Sequence, residues 1–247
     1  LAAARGDVEA SAAVCRDQLQ EAAATRARRL AAVSSLYVYA VDTGVLSVNP
    51  VAAVKRPKVS QDHSPTLGLT ADQGRAVLAA GEAESPRTGA LVALLLLGAL
   101  RVSEACAARA EHLGVDRGHR VLTVHGKGGT ARQLALVPRL AHALDVQLAG
   151  RDTGFVLVTR TGRPWDRAEA WRAVRRIATR AGVPHADRIS PHSLRHTAAT
   201  LALEAGAPLH RVQDLLGHAD PRTTRRYDRR RKALDGHAAY TLGQALA

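Results

Sequence analysis

Most of this 247-residue chain carries apolar residues at three- and four-residue spacing, which is the pattern of amphipathic helices. The first such region, residues 1 to about 48, contains no Pro and is predicted to be helical. Asn49-Pro50 ends it, because proline cannot extend a helix and restricts the residue before it. The apolar positions predict one buried stripe, formed by Leu19, Ala22, Ala23, Leu30, Val33, Leu36, Tyr37 and Ala40.

A polar stretch separates this helical region from the rest of the chain. Residues 55–65 (KRPKVSQDHSP) are interrupted by two prolines, which is typical of an exposed linker. We therefore predict a helical domain at 1–58, a linker at 59–66 and a second domain at 67–247.

The second domain is predicted to be helical over most of its length. Thr70 and Gln73 form a capping box, which is typical of a helix start. Ser190 followed by Pro191 in the first helical position is a second start. The predicted helices lie at about 70–80, 87–97, 102–109, 139–149, 166–181, 190–206, 208–216 and 221–231.

One segment of the second domain has the character of β-structure. The short runs VLTV and LALV are separated by the Gly-rich stretch HGKGGTARQ, which predicts a β-hairpin over 120–137. The expected fold class is therefore mainly α with a small antiparallel β-sheet (α+β).

The charge of the chain indicates a polyanionic partner. Thirty-five Lys and Arg against 22 Asp and Glu give a formal net charge of +13, which favours nucleic acid ahead of an anionic membrane. A basic protein whose charge has no electrostatic purpose is the alternative. Two cysteines, Cys15 and Cys106, are too few for a disulfide framework, and neither has metal-ligand spacing. No apolar run is long enough to span a bilayer, so a cytoplasmic protein that meets DNA is expected.

The stretch Ser190-Pro-His-Ser-Leu-Arg-His predicts an anion site at a helix N-terminus. His192, Arg195 and His196 are three and four residues apart, and a helix N-terminus presents free N–H groups. His192 and His196 also have the spacing of a zinc-binding pair. That alternative is disfavoured, because Glu does not follow His192 and Arg195 would repel a cation. Surface charge without a function is a second alternative.

A candidate nucleophile follows downstream. His218 comes directly after a glycine that ends a predicted helix, and Tyr227 lies among charged residues, which predicts that it is not buried in an apolar face. A phenol has an ordinary pKa of about 10 and is a poor nucleophile at neutral pH. Clustered cations would favour its phenolate form and orient a phosphate for attack.

These motifs resemble those of the tyrosine recombinases, the phage integrase family. His-x-Leu-Arg-His, Leu-Gly-His and a Tyr nine residues after that His carry the resemblance. It also requires an Arg in a Leu-Arg-x-Ser-Glu context, which Arg101 supplies, and a Lys in a hairpin turn, which Lys127 supplies. One departure is Ala99, where many members have Gly, and it is expected to affect a tight backbone contact at most.

The resemblance covers residues from about 64 to 235 strongly and the N-terminal region more weakly. It implies a helical core-binding (SAM-like) DNA-binding domain at 1–58, expected to be incomplete at its start, and a tyrosine-recombinase catalytic domain at 67–247. It also implies site-specific recombination on double-stranded DNA, with no cofactor and no metal.

The resemblance implies a role for each site residue. Tyr227 would attack the phosphate and form a covalent 3′-phosphotyrosine, while Arg101 and Arg195 bind the phosphate oxygens and His218 adds a hydrogen bond. Lys127 would protonate the leaving 5′-oxygen, and His192 would accept or relay the tyrosine proton.

Two further residues are expected to support these groups. His196 would pack and form hydrogen bonds, and Glu104 would orient an arginine or a backbone group, with a surface ion pair equally open. Basic residues expected to contact DNA phosphates as a class are Arg26, Arg28, Arg29, Arg172, Arg175 and Arg176.

The expected assembly is a homotetramer on DNA, with a monomer possible off DNA. The tail, 233–247, has apolar residues at helical spacing, and we expect it to dock on a neighbouring protomer. Packing of the tail against its own chain is an almost equally favoured alternative. Three other functions are open: a type IB topoisomerase-like activity, a DNA-binding protein without catalysis, and a basic RNA-binding module. The intact residue set disfavours the second, and the 3% aromatic content disfavours the third.

Overall fold

The structure is a computed structural model that describes residues 5–17, 20, 22–57, 66–126, 130–218, 223–224 and 227. Several predictions fall outside these ranges, namely those for Leu19, Lys127, most of the helix at 221–231 and the tail at 233–247. In the described part, the helices are α1 Arg5–Asp17, α2 Ala23–Asp42, α3 Ala71–Glu84, α4 Pro86–Leu96, α5 Val102–Ala107, α6 Pro138–Leu148, α7 Arg167–Arg180, α8 Pro191–Glu204 and α9 Leu209–Leu216, and the strands are β1 Leu113–Asp116, β2 His119–His125 and β3 Ala131–Ala135.

The chain divides into two compact units, Leu1–Gln61 and Asp62–Ala247. The division falls inside the predicted linker at 59–66, and the DNA-binding role of the first unit stays a prediction. The fold class, mainly α with a small antiparallel sheet, is confirmed. Over the described residues, no helix combines the length and the apolar character needed to cross a membrane.

The first unit packs around one face of α2. Leu30, Tyr37 and Ala40 are buried as predicted, whereas Val33 and Leu36 are exposed, so the predicted stripe is only partly confirmed. Successive helical residues turn by about 100°, which places Leu36 about 120° from Leu30 and outside the buried face. The small core of this unit consists of Leu30, Tyr37, Val51 and Val54.

The core of the second unit forms around α4. Every residue of this helix from Thr88 to Leu96 is buried, and the helix packs against α3, α6 and α8. A helix that is apolar on all sides must be covered on all sides, and these neighbours cover it. The Thr88 hydroxyl is the polar exception, and it donates to the Gly81 carbonyl at 2.9 Å.

The sheet has three antiparallel strands in the order β1-β2-β3, rather than the single hairpin predicted. The first strand, Leu-Gly-Val-Asp, has only four residues, one of them glycine, and is too short to be recognised from its sequence. Arg117 and Gly118 both have positive φ and form the two-residue turn between β1 and β2, a geometry that suits the twist of paired strands.

The segment of the second unit that leads into α3 is anchored on α8. The Leu69 amide donates to the Thr197 hydroxyl at 2.8 Å, in a buried hydrogen bond. A Cβ at Gly68 would lie only 3.1 Å from Nδ1 of His196, so this glycine permits a close approach to the helix. The predicted capping box of Thr70 with Gln73 is confirmed directly after this anchor and starts α3.

Two glycines provide a test of this packing. We expect Gly98→Ala to lower the free energy of unfolding by about 1–3 kcal/mol, because the new Cβ would lie 2.8 Å from the Leu94 carbonyl oxygen and 2.9 Å from Leu134. Gly74→Ala should instead raise it by about 0.5–1 kcal/mol, since Gly74 lies in α3 with open space around its Cβ position. Urea unfolding of the two variants measures both values, and equal effects would contradict the packing described.

Candidate active site

Arg195 lies buried at the centre of the candidate site, with 3% of the residue exposed. It belongs to α8, which starts as predicted because the Ser190 side chain caps it. Arg195 donates from Nη1 to the Ala99 carbonyl and from Nη2 to the Leu216 carbonyl, both at 2.6 Å. Burial lowers the pKa of Arg195 to about 10, and the nearby Arg101 contributes, so the guanidinium remains charged at neutral pH.

Ala99 bends the chain two residues before Arg101. Its φ is +49° and it is fully buried, so a non-glycine residue occupies the left-handed region here. That conformation costs an alanine roughly 1–2 kcal/mol. The expectation that this departure from the family affects only a tight contact was therefore wrong, because the backbone conformation at this position favours glycine.

Glu104 holds two arginines through one carboxylate. Its side chain is 4% exposed and accepts from the Arg101 amide at 2.9 Å and from Arg101 Nη1 at 2.7 Å. It also accepts from Arg132 Nη1 at 3.1 Å and from Nη2 at 2.9 Å. Burial raises the pKa of Glu104, but hydrogen bonds from Arg132 and Arg101 outweigh burial and lower the pKa to about 2. Glu104 orients both an arginine and a backbone group, and the alternative of a surface ion pair was wrong.

Arg101 is partly exposed and faces a cavity of about 1160 Å³. Its Nη2 donates to the Gly217 carbonyl at 3.2 Å, which ties the start of α5 to the end of α9. The cavity is lined by basic groups, among them Arg101, Arg132, Arg167, Arg211 and His218. This cavity is large enough to admit an anionic group that approaches from solvent.

His218 is held in one protonation state by its partners. Arg195 Nη2 lies 3.1 Å from Nε2, and a guanidinium has only donors, so Nε2 accepts and the ring proton lies on Nδ1. Nδ1 is 2.9 Å from the Thr224 hydroxyl, so it donates a hydrogen bond to that oxygen. Burial and the charge of Arg195 lower the pKa of His218 to about 4, with Arg101 contributing, so the imidazole is neutral at neutral pH.

Tyr227 is buried, with 6% of the residue exposed, so the prediction that it avoids an apolar surrounding was wrong. Its cluster contains Ala99, Ala199, Val212 and Leu216. The Tyr227 ring meets the His196 ring edge to face at a centroid distance of 4.9 Å and stacks with the His218 ring at 6.3 Å. The prediction was inferred from charged neighbours in the sequence, whereas the burial of Tyr227 comes from contacts with residues far away in the chain, such as Ala99 and Ala199.

The two histidines of α8 have different surroundings. His192 is exposed in the first turn, where partial desolvation and Arg195 lower the pKa of its imidazole. His196 is 3% exposed and lies 3.4 Å from the Thr200 hydroxyl as well as against the Tyr227 ring. Among the described residues, no group of three or more His, Cys, Asp or Glu could hold a metal ion.

The basic residues predicted to contact DNA lie on α2 and α7. On α2, Arg28 and Arg29 are exposed and Arg26 is partly buried. The three on α7 differ in what they contact.

On α7, Arg172 is exposed to solvent. The Arg175 guanidinium stacks over the exposed Trp171 ring at 4.0 Å. Arg176 donates to Glu84 through Nη2 at 2.6 Å and through Nε at 3.2 Å. One of the three is therefore already paired with a carboxylate.

Arg132 is the functional candidate that the motifs did not reveal. It lies five residues after Lys127, on β3, and shares Glu104 with Arg101. One basic residue in a polar strand gives no sequence signal for a buried ion pair, because its partner is 28 residues away.

Comparison with known proteins gives a consistent set of similarities. The family model described as "Phage integrase family" matches residues 68–233. The tyrosine recombinase XerD of Neisseria meningitidis serogroup A is 35% identical over 218 residues, which cover 84% of this chain and 72% of that protein. The tyrosine recombinase XerC of Corynebacterium efficiens is 39% identical over 214 residues, which cover 83% of this chain and 66% of that protein.

Solved structures add a similarity of fold. The structure of the XerH site-specific recombinase bound to difH substrate, in a pre-cleavage complex, matches with a TM-score of 0.77 and 21% identity. The match covers 97% of this chain and 71% of that chain.

The lowered pKa of His218 predicts a pH dependence of stability. The pKa is about 4 in the folded chain against an ordinary 6.5, so the unfolded chain binds the extra proton between these values. The contribution of neutral His218 to the free energy of unfolding is therefore fully present above about pH 6.5. As the pH falls from 6.5 towards 4, the free energy of unfolding decreases by on the order of 1–2 kcal/mol after solvent screening. Urea unfolding at several pH values should show a smaller loss for His218→Gln, and an unchanged loss would contradict the pKa assignment.

Proposed function

The chain belongs to the phage integrase family of tyrosine recombinases, and on that premise we propose how its own residues cleave and rejoin DNA. The enzyme is a site-specific DNA recombinase that acts through a phosphotyrosine intermediate. Tyr227 is the proposed nucleophile. Its phenolic oxygen attacks phosphorus, the bond from phosphorus to the 5′-oxygen breaks, and a 3′-phosphotyrosine and a free 5′-hydroxyl result. Attack by a 5′-hydroxyl from a partner strand reverses the step, so the phosphodiester energy is kept.

The observation that carries this proposal is the cluster of Arg101, Arg195 and His218, in which Arg101 and His218 line the cavity and Arg195 lies buried behind them. The Arg195–His218 contact is 3.1 Å, and Glu104 lies within 3.7 Å of Arg195 and 2.7 Å of Arg101. Negative charge develops on the two non-bridging oxygens in the transition state. Cations fixed beforehand stabilise that charge without reorganisation, and each typically contributes a few kcal/mol, on the order of 3.

His218 changes its role when the phosphate binds. In the free chain its Nε2 accepts from Arg195, so it has no proton to give on that side. A bound phosphodiester, which carries one negative charge, would raise the pKa of the imidazole and turn Arg195 towards the anion. A protonated Nε2 then donates to a non-bridging oxygen.

Proton transfer is assigned to two residues that match the motifs of the family. His192, whose lowered pKa favours the neutral form, accepts the Tyr227 proton. Lys127, which lies outside the described residues, protonates the departing 5′-oxygen. Because Tyr227 is buried, either its side chain or the residues that cover it must move before the attack.

The partner is double-stranded DNA, bound through a basic surface. We assign phosphate contacts to Arg26, Arg28, Arg29, Arg172, Arg175 and Arg176 as a class, supported by the net charge of +13. Since Arg176 is paired with Glu84, its phosphate contact would require exchange of that partner. The proposed setting is the cytoplasm, where the DNA lies.

Tyr227→Phe tests the nucleophile. On nicked suicide duplexes carrying candidate sites, the unmodified protein should form a covalent DNA adduct that survives denaturation. The variant should lose the adduct by at least about 1000-fold, because no phenolic oxygen remains to attack phosphorus. DNA binding measured by fluorescence anisotropy should stay within about threefold, since phosphate contacts dominate affinity.

Tyr39→Phe is the matched control, because Tyr39 is 67% exposed on α2 and outside the catalytic unit. It should leave adduct formation unchanged. An adduct that persists in Tyr227→Phe would refute the assignment, and binding without any adduct in the unmodified protein would identify a DNA-binding protein that lacks catalysis.

A homotetramer on DNA is the proposed working assembly, with the tail at 233–247 docked on a neighbouring protomer. Deletion of the residues after Asp235 should weaken synapsis while monomeric binding and folding persist, because only the contact between protomers is lost. Gel-shift titration on one-site and two-site DNA separates these steps, and unchanged synapsis would show that the tail packs within its own chain.

A further inference from the structure

Arg132 belongs to none of the sequence motifs, yet it shares the Glu104 carboxylate with Arg101. We propose that Arg132 is a positioning residue for strand cleavage: it saturates the Glu104 carboxylate and so leaves Arg101 and Arg195 able to bind phosphate. This inference rests on the proposed function, in which those two arginines hold the non-bridging oxygens.

The geometry of Arg132 is that of a fixed group. It is paired with Val124 in the sheet, and its side chain is only 18% exposed. Nη1 and Nη2 each donate to a different oxygen of Glu104, at 3.1 and 2.9 Å, which is the bidentate geometry that only arginine provides. A Cβ at Gly217 would lie 2.8 Å from Nη1, so the guanidinium also lies against the residue that precedes His218.

Glu104 divides its attraction among three cations. Its Oε1 accepts from both Arg101 and Arg132, and its Oε2 lies 3.7 Å from Arg195. A buried carboxylate that loses one partner keeps its desolvation cost and pairs more tightly with the cations that remain. Without Arg132, Glu104 would draw Arg101 and Arg195 towards itself, and both would be less available to a phosphate.

The charge of the cluster supports the same role. Arg101, Arg132 and Arg195 contribute three positive charges and Glu104 one negative charge, which gives this cluster of four residues a net charge of +2. The positive charge of Arg132 is also among the causes that lower the pKa of Arg195 and of His218, so its field reaches both groups. Removal of Arg132 would halve the net charge of this cluster.

The test compares Arg132→Ala and Arg132→Lys with Arg120→Ala as control. Arg120 lies on β2 of the same sheet and makes a bidentate pair with Asp145 at 2.7 Å, but it is exposed and does not contact Glu104. The assay uses the nicked suicide duplex on which the unmodified protein forms its adduct. It measures the single-turnover rate constant for adduct formation at saturating protein and, separately, the apparent Kd.

We expect Arg132→Ala to lower the rate constant by about 10- to 100-fold while the apparent Kd changes by less than about threefold. Arg132→Lys should recover part of the rate, because an ammonium keeps the charge but makes a single contact. Added guanidinium ion should raise the rate of Arg132→Ala more than that of the unmodified protein. Arg120→Ala should stay within about twofold in both quantities.

Three results would overturn the inference: a rate constant of Arg132→Ala within about twofold of the unmodified protein, a loss that lies wholly in the apparent Kd, or an equal loss in Arg120→Ala. If circular dichroism shows that Arg132→Ala is unfolded, Arg132→Gln decides by the same criteria, since it keeps one donor and removes the charge. Failure of the unmodified protein to form any adduct would instead refute the proposed function.

Discussion

A guanidinium removed from water is stable only where acceptors meet its donors, and the catalytic unit is organised around this requirement at Arg195. The acceptors are the carbonyl oxygens of Ala99 and Leu216, which are far apart in the chain. Arg101 follows the first of these by two residues and His218 follows the second by two. The satisfaction of one buried cation thus brings the other phosphate-binding candidates together before any DNA is present, which is the preorganisation that charge stabilisation in a transition state requires.

Like charges placed this close repel one another, and the structure offsets the repulsion in two ways. Glu104 lies among the three arginines and remains ionised, since hydrogen bonds from Arg132 and Arg101 outweigh its desolvation. His218 contributes no charge, because its pKa is lowered to about 4. The remaining positive charge is concentrated where the phosphate enters, and Ala99 bears the backbone strain needed for this arrangement.

Local patterns predicted the local features well. The capping signals at Thr70 and Ser190 start helices where expected, and the helix predicted at about 87–97 is α4. The third strand was missed because β1 has only four residues, and the burial of Tyr227 was missed because it depends on contacts with distant segments.

The residues of the candidate site were also predictable only in part. Ordered motifs predicted Arg101, Arg195, His218 and Tyr227 as site residues, because the chemistry restricts those residue types, and the structure places these four residues in one cluster. They did not identify Arg132, since the choice of partner for a buried carboxylate is a tertiary property. Residues that act through another side chain have no fixed spacing in the sequence, so a sequence motif cannot reveal them.

The anchor at the start of the second unit has a consequence for modular exchange. The hydrogen bond from the Leu69 amide to the Thr197 hydroxyl fixes the chain just before α3 on the helix that carries Arg195, and Gly68 fits closely against His196. A chimeric protein that joins a foreign N-terminal module before Thr66 would keep this anchor, whereas a junction placed after Leu69 would remove it. The safe crossover point for domain shuffling is therefore set by a single hydrogen bond rather than by the length of the linker.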